Sequence, residues 1–197
     1  MPITLNGSGT VSGISAGGLP DGIIQSADLA SGVGGKILQV KQVVKTDSYS
    51  FVSSSNDERL DITGLTIDIT PVSASSKILV EYRVNVGGPN GAYRILVHLM
   101  RGSSDIYKGD QDSGQTNQTR CSNHINTMND GVGASRTALT TGQFLDSPNT
   151  TSAITYKLQI HTANSGNTYY VNRSAYTSNL NYVGREPSHI TVQEIAA

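Results

Sequence analysis

The chain has 197 residues, enough for one domain of ordinary size, and its 14 Lys and Arg against 15 Asp and Glu leave a net charge of −1. That balance, without a long basic run, argues against a nucleic-acid partner, because phosphate contacts demand a cationic patch. A single cysteine, Cys121, excludes an intrachain disulfide and a zinc site built on two or four cysteines of one chain, and no apolar run reaches the length of a membrane span.

Residues 1–35 hold nine of the 21 glycines and no aromatic residue. They read as an extended arm, and 36–197 as a compact β domain. The opening Met1–Asn6 lacks the basic and apolar regions of a signal peptide, so synthesis and assembly in a reducing cytoplasm are expected. Gly17 to Gly22 bends the arm, and Ser26 caps one helical turn over Ser26–Ala30. The apolar residues Leu19, Ile23, Ile24 and Leu29 are too few for a core. With Pro20 they are the candidate residues for anchoring the arm in pockets of another chain.

From Lys36 the pattern is that of strands. Lys36 to Lys45 is a strand whose irregular pattern predicts burial on both sides. Leu65, Ile67 and Ile69 form a short alternating run. Lys77 to Gly87 is the clearest strand: Ile78, Val80, Tyr82, Val84 and Val86 face one way, and Glu81, Arg83 and Asn85 the other. Tyr93, Ile95, Val97 and Leu99 repeat the period. So do Ile154, Tyr156, Leu158 and Ile160, and then Ile190 and Val192. Turn residues separate the runs, and Asn164 to Asn167 reads as a hairpin tip. Eight or more strands without an amphipathic helix predict an all-β fold, an antiparallel β-sandwich of jelly-roll type. Asp110 to Ala134 is polar and weakly periodic, the pattern of a long surface loop.

The motifs carry little chemistry. Gly13-Ile14-Ser15-Ala16-Gly17 matches a nucleophile elbow, but it sits in the Gly-rich arm and leads into Gly18-Leu19-Pro20, not the buried strand and helix an elbow needs. Gly7 to Gly13 resembles a dinucleotide fingerprint with one residue too many. Arg120 and His124 flank Cys121, a setting that lowers a thiol pKa, yet the segment reads as a polar loop around an incidental, partly buried cysteine. His98, His124, His161 and His189 lie on separate segments. The first and third fall on the polar side of alternating strands and read as solvent-facing or interface residues, or else as part of a histidine triplet on a threefold axis. Asp110 to Gly114 has the look of a calcium loop, but the twelfth position holds Cys121 instead of Glu. Nine tyrosines against two phenylalanines and no tryptophan, with Tyr169, Tyr170, Tyr176 and Tyr182 clustered near the C-terminus, suit edge-strand and core packing or a ligand platform. No cofactor and no catalytic residue are expected.

Several segments, taken in order, resemble the short fibre-like and decoration-like surface proteins of tailed phages, especially marine and cyanobacterial ones. They are Gly13 to Gln25, Gly64 to Pro71 with Ser76 to Val80, Leu145 to Ser152, Tyr170 to Ser174, and Ile190 to Ile195. The resemblance implies a homotrimer at the virion surface, with a jelly-roll head similar to C1q and tumour-necrosis-factor domains. It also implies an N-terminal arm that attaches to other virion proteins, and no catalytic residues. The expected function is that of a virion structural protein. The alternative is a tail-fibre or carbohydrate-binding module for host surface glycans. The loop from Gln111 to Asp130 is either the host-contact loop, through Gln115, Asn117 and Gln118, or a crossover packed between subunits.

Overall fold

The computed structural model describes residues 4–5, 11–12, 36–89, 93–127, 136–162, 164–176, 178–179, 181 and 183–197. The chain forms two compact units, Met1–Lys36 and Ile37–Ala197. In the first, β1 (Thr4–Leu5) pairs antiparallel with β2 (Val11–Ser12). The turn expected at Ser26–Ala30 and the anchor candidates Leu19, Pro20, Ile23, Ile24 and Leu29 lie outside the described residues.

The second unit is all-β, with no helix among the described residues. Its strands are β3 (Ile37–Lys45), β4 (Tyr49–Val52), β5 (Arg59–Ile69), β6 (Lys77–Gly87), β7 (Tyr93–Arg101), β8 (Ser104–Tyr107), β9 (Asn123–Thr127), β10 (Ala138–Asp146), β11 (Ile154–Thr162), β12 (Thr168–Val171) and β13 (Ser188–Ile195). One sheet runs β3-β13-β6-β12-β4 with β10 also on β6, and the other runs β5-β11-β7-β8 with β9 also on β7. Three of these strands are continuations of others. Along β6, β13 pairs from Lys77 to Arg83 and β12 takes over at Val86 and Gly87. Along β7, β9 covers Tyr93 to Val97 and β8 covers Leu99 to Arg101. β3 and β4 are likewise the two halves of one edge. Merging these halves gives two antiparallel four-strand layers joined in jelly-roll order.

The core lies between the layers. From β6, Ile78, Val80, Val84 and Val86 are fully buried, and they meet Val97, Leu99, Tyr156, Leu158, Ile160, Ile190 and Val192. Each such side chain contributes about 1.5–3 kcal/mol on leaving water. The strand interruption in the first sheet is locked by Asn172, which has a positive φ of 61°. Its amide donates to Lys45 O (2.8 Å) and Asp47 O (2.9 Å), and Ser188 Oγ donates to its Oδ1 (2.5 Å).

Four expectations need correction. β3 is not buried on both sides. Among the described residues it is an edge strand paired only with β13, and Ile37, Leu38, Val40 and Val44 are exposed while Val43 packs on the core. Asn164 to Asn167 is not a hairpin tip, because β11 and β12 belong to different sheets and the turn switches layers. The polar stretch from Asp110 is not loop throughout: Asn123–Thr127 forms β9 against β7. The run at Leu65 begins earlier, at Arg59. A bulge opposite Leu158, with Gly64 at φ +86°, shifts the inward side from Leu60 and Ile62 to Leu65, Ile67 and Ile69.

Candidate functional site

The outer face of the first sheet can be read row by row from its register. Val44, His189, Arg83 and Thr141 lie side by side across four strands. The next row is Gln42, Thr191, Glu81 and Gln143, and the next is Val40, Gln193, Leu79 and Leu145. These residues face outward because their neighbours along the strands, Val80, Tyr82, Val84, Ile190 and Val192, fill the core. The two polar rows line an open cleft that reaches Tyr107. Gln42 Nε2 donates to Thr191 Oγ1 (2.8 Å). Both oxygens of Glu81 are engaged, Oε1 by Gln143 Nε2 at 2.7 Å and Oε2 by Gln193 Nε2 at 3.1 Å. Arg83 has no ion pair, and its Nε is buried without a hydrogen-bond partner. Gly142 lets the cleft form beside β10. Tyr82 lies across it on the inner side, and a Cβ there would meet the ring at 2.3 Å. The Tyr82 hydroxyl reaches Asn123 on β9 and ties the open side of the sandwich.

The outer face of the second sheet is built differently. Arg59, His161, Leu96 and His124 form one row, and Asp61, Gln159 and His98 another. His98 is 1% exposed and His161 7%, so the histidines sit on the expected face but do not meet solvent there. Their rings pack at 5.6 Å. His98 Nδ1 lies 2.8 Å from Asp105 Oδ2, which also takes Arg59 at 3.0 Å. Burial lowers the His98 pKa, with Arg59 and Lys108 adding to this and the Asp105 hydrogen bond opposing it. Burial also lowers that of His161, reinforced by His98, Arg59 and Arg94 and opposed by Asp57. Arg94 pairs with Asp57 at 2.5 Å and Lys157 with Asp61 at 2.8 Å. Deeper in the sandwich, buried Asp146 receives Arg101 at 2.9 Å and the Tyr156 hydroxyl at 2.6 Å.

The segment 108–122 between β8 and β9 folds back on itself. Its neck is closed by Gly109 N to Cys121 O (3.3 Å), Arg120 Nε to Gly109 O (2.6 Å) and Ser122 N to Val97 O (2.9 Å). Inside it, Gln118 Nε2 donates to Asp112 Oδ2 and Asp112 N donates to Gln118 Oε1, both at 2.8 Å. Of the three host-contact candidates, Gln118 is thus a brace of the loop. Gln115 and Asn117 are exposed, the former with its backbone N–H on Asp112 O at 3.0 Å. Asn117, Gln118, Asp110 and Cys121 face Arg94, Leu96 and His124 across a shallow cleft, so the loop lies over the outer face of the second sheet.

The remaining candidates separate. Asp110 is paired with Arg120 at 2.7 Å, and no cluster of three or more metal-ligating side chains occurs among the described residues. Cys121 is partly buried, and burial with the Asp105 charge pushes its thiol pKa up, the reverse of nucleophile activation. Tyr169 is a core residue stacked on Phe51 at 5.7 Å, Tyr170 carries Arg173 over its ring, and Tyr176 is exposed. Tyr182 lies outside the described residues. Sequence alternation placed Arg83 on an outer face, but nothing in the sequence says that it lacks a partner.

No family model matches the chain, and no curated protein matches it. Among solved structures it is similar to a chain of the infectious bursal disease virus Gt strain, at 17% identity and TM-score 0.38, over 81% of this chain and 38% of that one. It is similar to the VP2 subviral particle of the same virus at 12% identity and TM-score 0.36, over 81% and 37%. The tripod from the baseplate of bacteriophage Tuc2009 aligns at 12% identity and TM-score 0.21, over 100% of this chain and 84% of that one. The chain thus spans less than two fifths of the viral chains it is similar to.

Proposed function

We propose that the chain is a virion structural protein, a trimeric surface fibre or decoration protein of a tailed phage with a C1q-like head. Its N-terminal arm, with Leu19, Pro20, Ile23, Ile24 and Leu29, attaches it to other virion proteins. The phage assignment rests on the ordered segments that resemble such surface proteins, and the jelly-roll strand order fits it. The observation that carries self-association is the exposed apolar edge along β3. Ile37 is 54% exposed, Val40 58% and Val44 52%, on a long edge strand without proline. Monomeric proteins seldom leave such an edge in water, and a closed ring of copies buries it. In this reading the chain builds and binds, and it carries out no reaction. Light scattering of the purified full chain is expected to give the mass of three copies. A monomer at micromolar concentration overturns the trimer. Particles assembled with a chain that begins at Lys36 are expected to lack the protein.

The second reading is a module for host glycans. The specific observation in its favour is the polar cleft around Arg83, where a cation without a partner adjoins a carboxylate and amides.

A further inference from the structure

The structure assigns a binding site for an acidic saccharide to the outer face of the first sheet, with Arg83 as the residue that takes the sugar carboxylate. This deepens the second reading above and rests on it. It needs neither the trimer nor the virion.

Cations are half-buried at a cost, and proteins usually offset it with an anion nearby. The described cations of the other sheet face conform: Arg59 has Asp105, Arg94 has Asp57 and Lys157 has Asp61. Arg83 departs from this. It sits in the middle of a sheet face, flanked across the strands by His189 and Thr141. Its Nε is buried and unpartnered. The nearest carboxylate along the strand, Glu81, is occupied by Gln143 and Gln193 and makes no ion pair with it. A planar guanidinium with free donors is matched in geometry by a carboxylate, which it binds through two parallel hydrogen bonds.

The rest of the cleft says which carboxylate. A bare anion needs donors only, and a site for it would not place Glu81 one pleat repeat from the cation. Here Arg83 and His189 lie beside the row in which the acceptor Glu81 is flanked by Thr191, Gln42 and Gln143. A carboxylate oxygen that already accepts one hydrogen bond retains a lone pair for a hydroxyl, and amides offer both a donor and an acceptor. The layout therefore suits a ligand with one anionic group and several hydroxyls at fixed spacing. Tyr107 at the border adds a ring beside the cleft, a surface with apolar body and polar tip. The site stands on strands of the first sheet, held by the core beneath it, so no loop has to move to form it.

The test is titration of the full chain with three probes: a glucuronate oligosaccharide, a galacturonate oligosaccharide and sialyl-lactose. Neutral glucose oligosaccharide and acetate are the controls, and saturation-transfer NMR and calorimetry are the readouts. At least one acidic saccharide is expected to bind saturably, at least tenfold more tightly than either control. Arg83→Gln is expected to weaken it at least tenfold, with the melting temperature and particle mass unchanged. Gln42→Ala is expected to weaken it less. The proposal is overturned if no acidic probe binds. It is also overturned if Arg83→Gln binds as the parent does, or if acetate binds as tightly as the saccharides. Since the mass is measured on the same samples, failure of the site and failure of the assembly reading are told apart.

Discussion

Both sheets of the sandwich place an arginine on their outer face, but only one of them supplies it with a carboxylate. On the second sheet Arg59 meets Asp105, which also holds the buried His98, and the face is further covered by the 108–122 segment. On the first sheet Arg83 stands without an ion pair between His189 and Thr141, beside Glu81, whose carboxylate is held by Gln143 and Gln193. The alternation along the strands is the same on both. What differs is where the compensating groups lie, and that decides which face is internal structure and which is free to meet a partner. Burial with pairing stabilises the one, and exposure without pairing leaves the other available.

The comparison breaks most sharply at Asp105. Asp105→Ala removes the acceptor of His98 and strands Arg59, and it is expected to cost on the order of 3 kcal/mol, the low end for breaking a buried pair because Arg59 is partly exposed. Urea denaturation measures it, and a loss below about 0.5 kcal/mol would show that this face is no more than an ordinary surface. Acid acts on the same face by a graded route. Both histidines have folded-state pKa values below the ordinary imidazole value of about 6.5, so the unfolded chain binds protons that the folded chain refuses. Their contribution is complete above that value and is lost as pH falls through it toward the folded-state values. The groups that face them, Asp105, Asp57, Arg59, Arg94 and Lys108, contribute both signs, with burial dominant. The melting temperature is expected to drop between pH 7 and pH 5, and His161→Gln to flatten that drop. An identical slope in the variant would assign the acid sensitivity elsewhere. The smallest effect on stability belongs to the first face. Ile37→Ser with Val40→Ser is expected to change folding stability by about 0.5 kcal/mol or less while weakening self-association, since exposed side chains gain little from folding but much from being covered. Analytical ultracentrifugation reads both species.

Strands whose inward residues are apolar were legible directly. β6 and β11 follow from Ile78 to Val86 and from Ile154 to Ile160, because each places a β-branched or aromatic side chain at every second position. β10 was not legible. Its inward residues include Thr140, Gly142 and Asp146, while Leu139 and Leu145 point outward, so the apparent period is reversed. Gly142 is inward because Tyr82 fills its space, and Asp146 because Arg101 and Tyr156 come to it. Those partners lie far away in sequence. The bulge at Gly64 hid the first half of β5 in the same way, by moving the apolar residues from one parity to the other.

The sequence by itself determined the all-β class, the polar and apolar sides of the long strands, and the presence of Arg83, His98 and His161 on outer faces, since a period of two is a local property of the backbone. Only the tertiary structure decided that β3 is an exposed edge and that His98 and His161 are covered. It alone decided that Gln118 braces its own loop and that Arg83 lacks a carboxylate. Exposure and ion pairing depend on which strands become neighbours, and that is set by the packing of segments distant along the chain, to which the local period is blind.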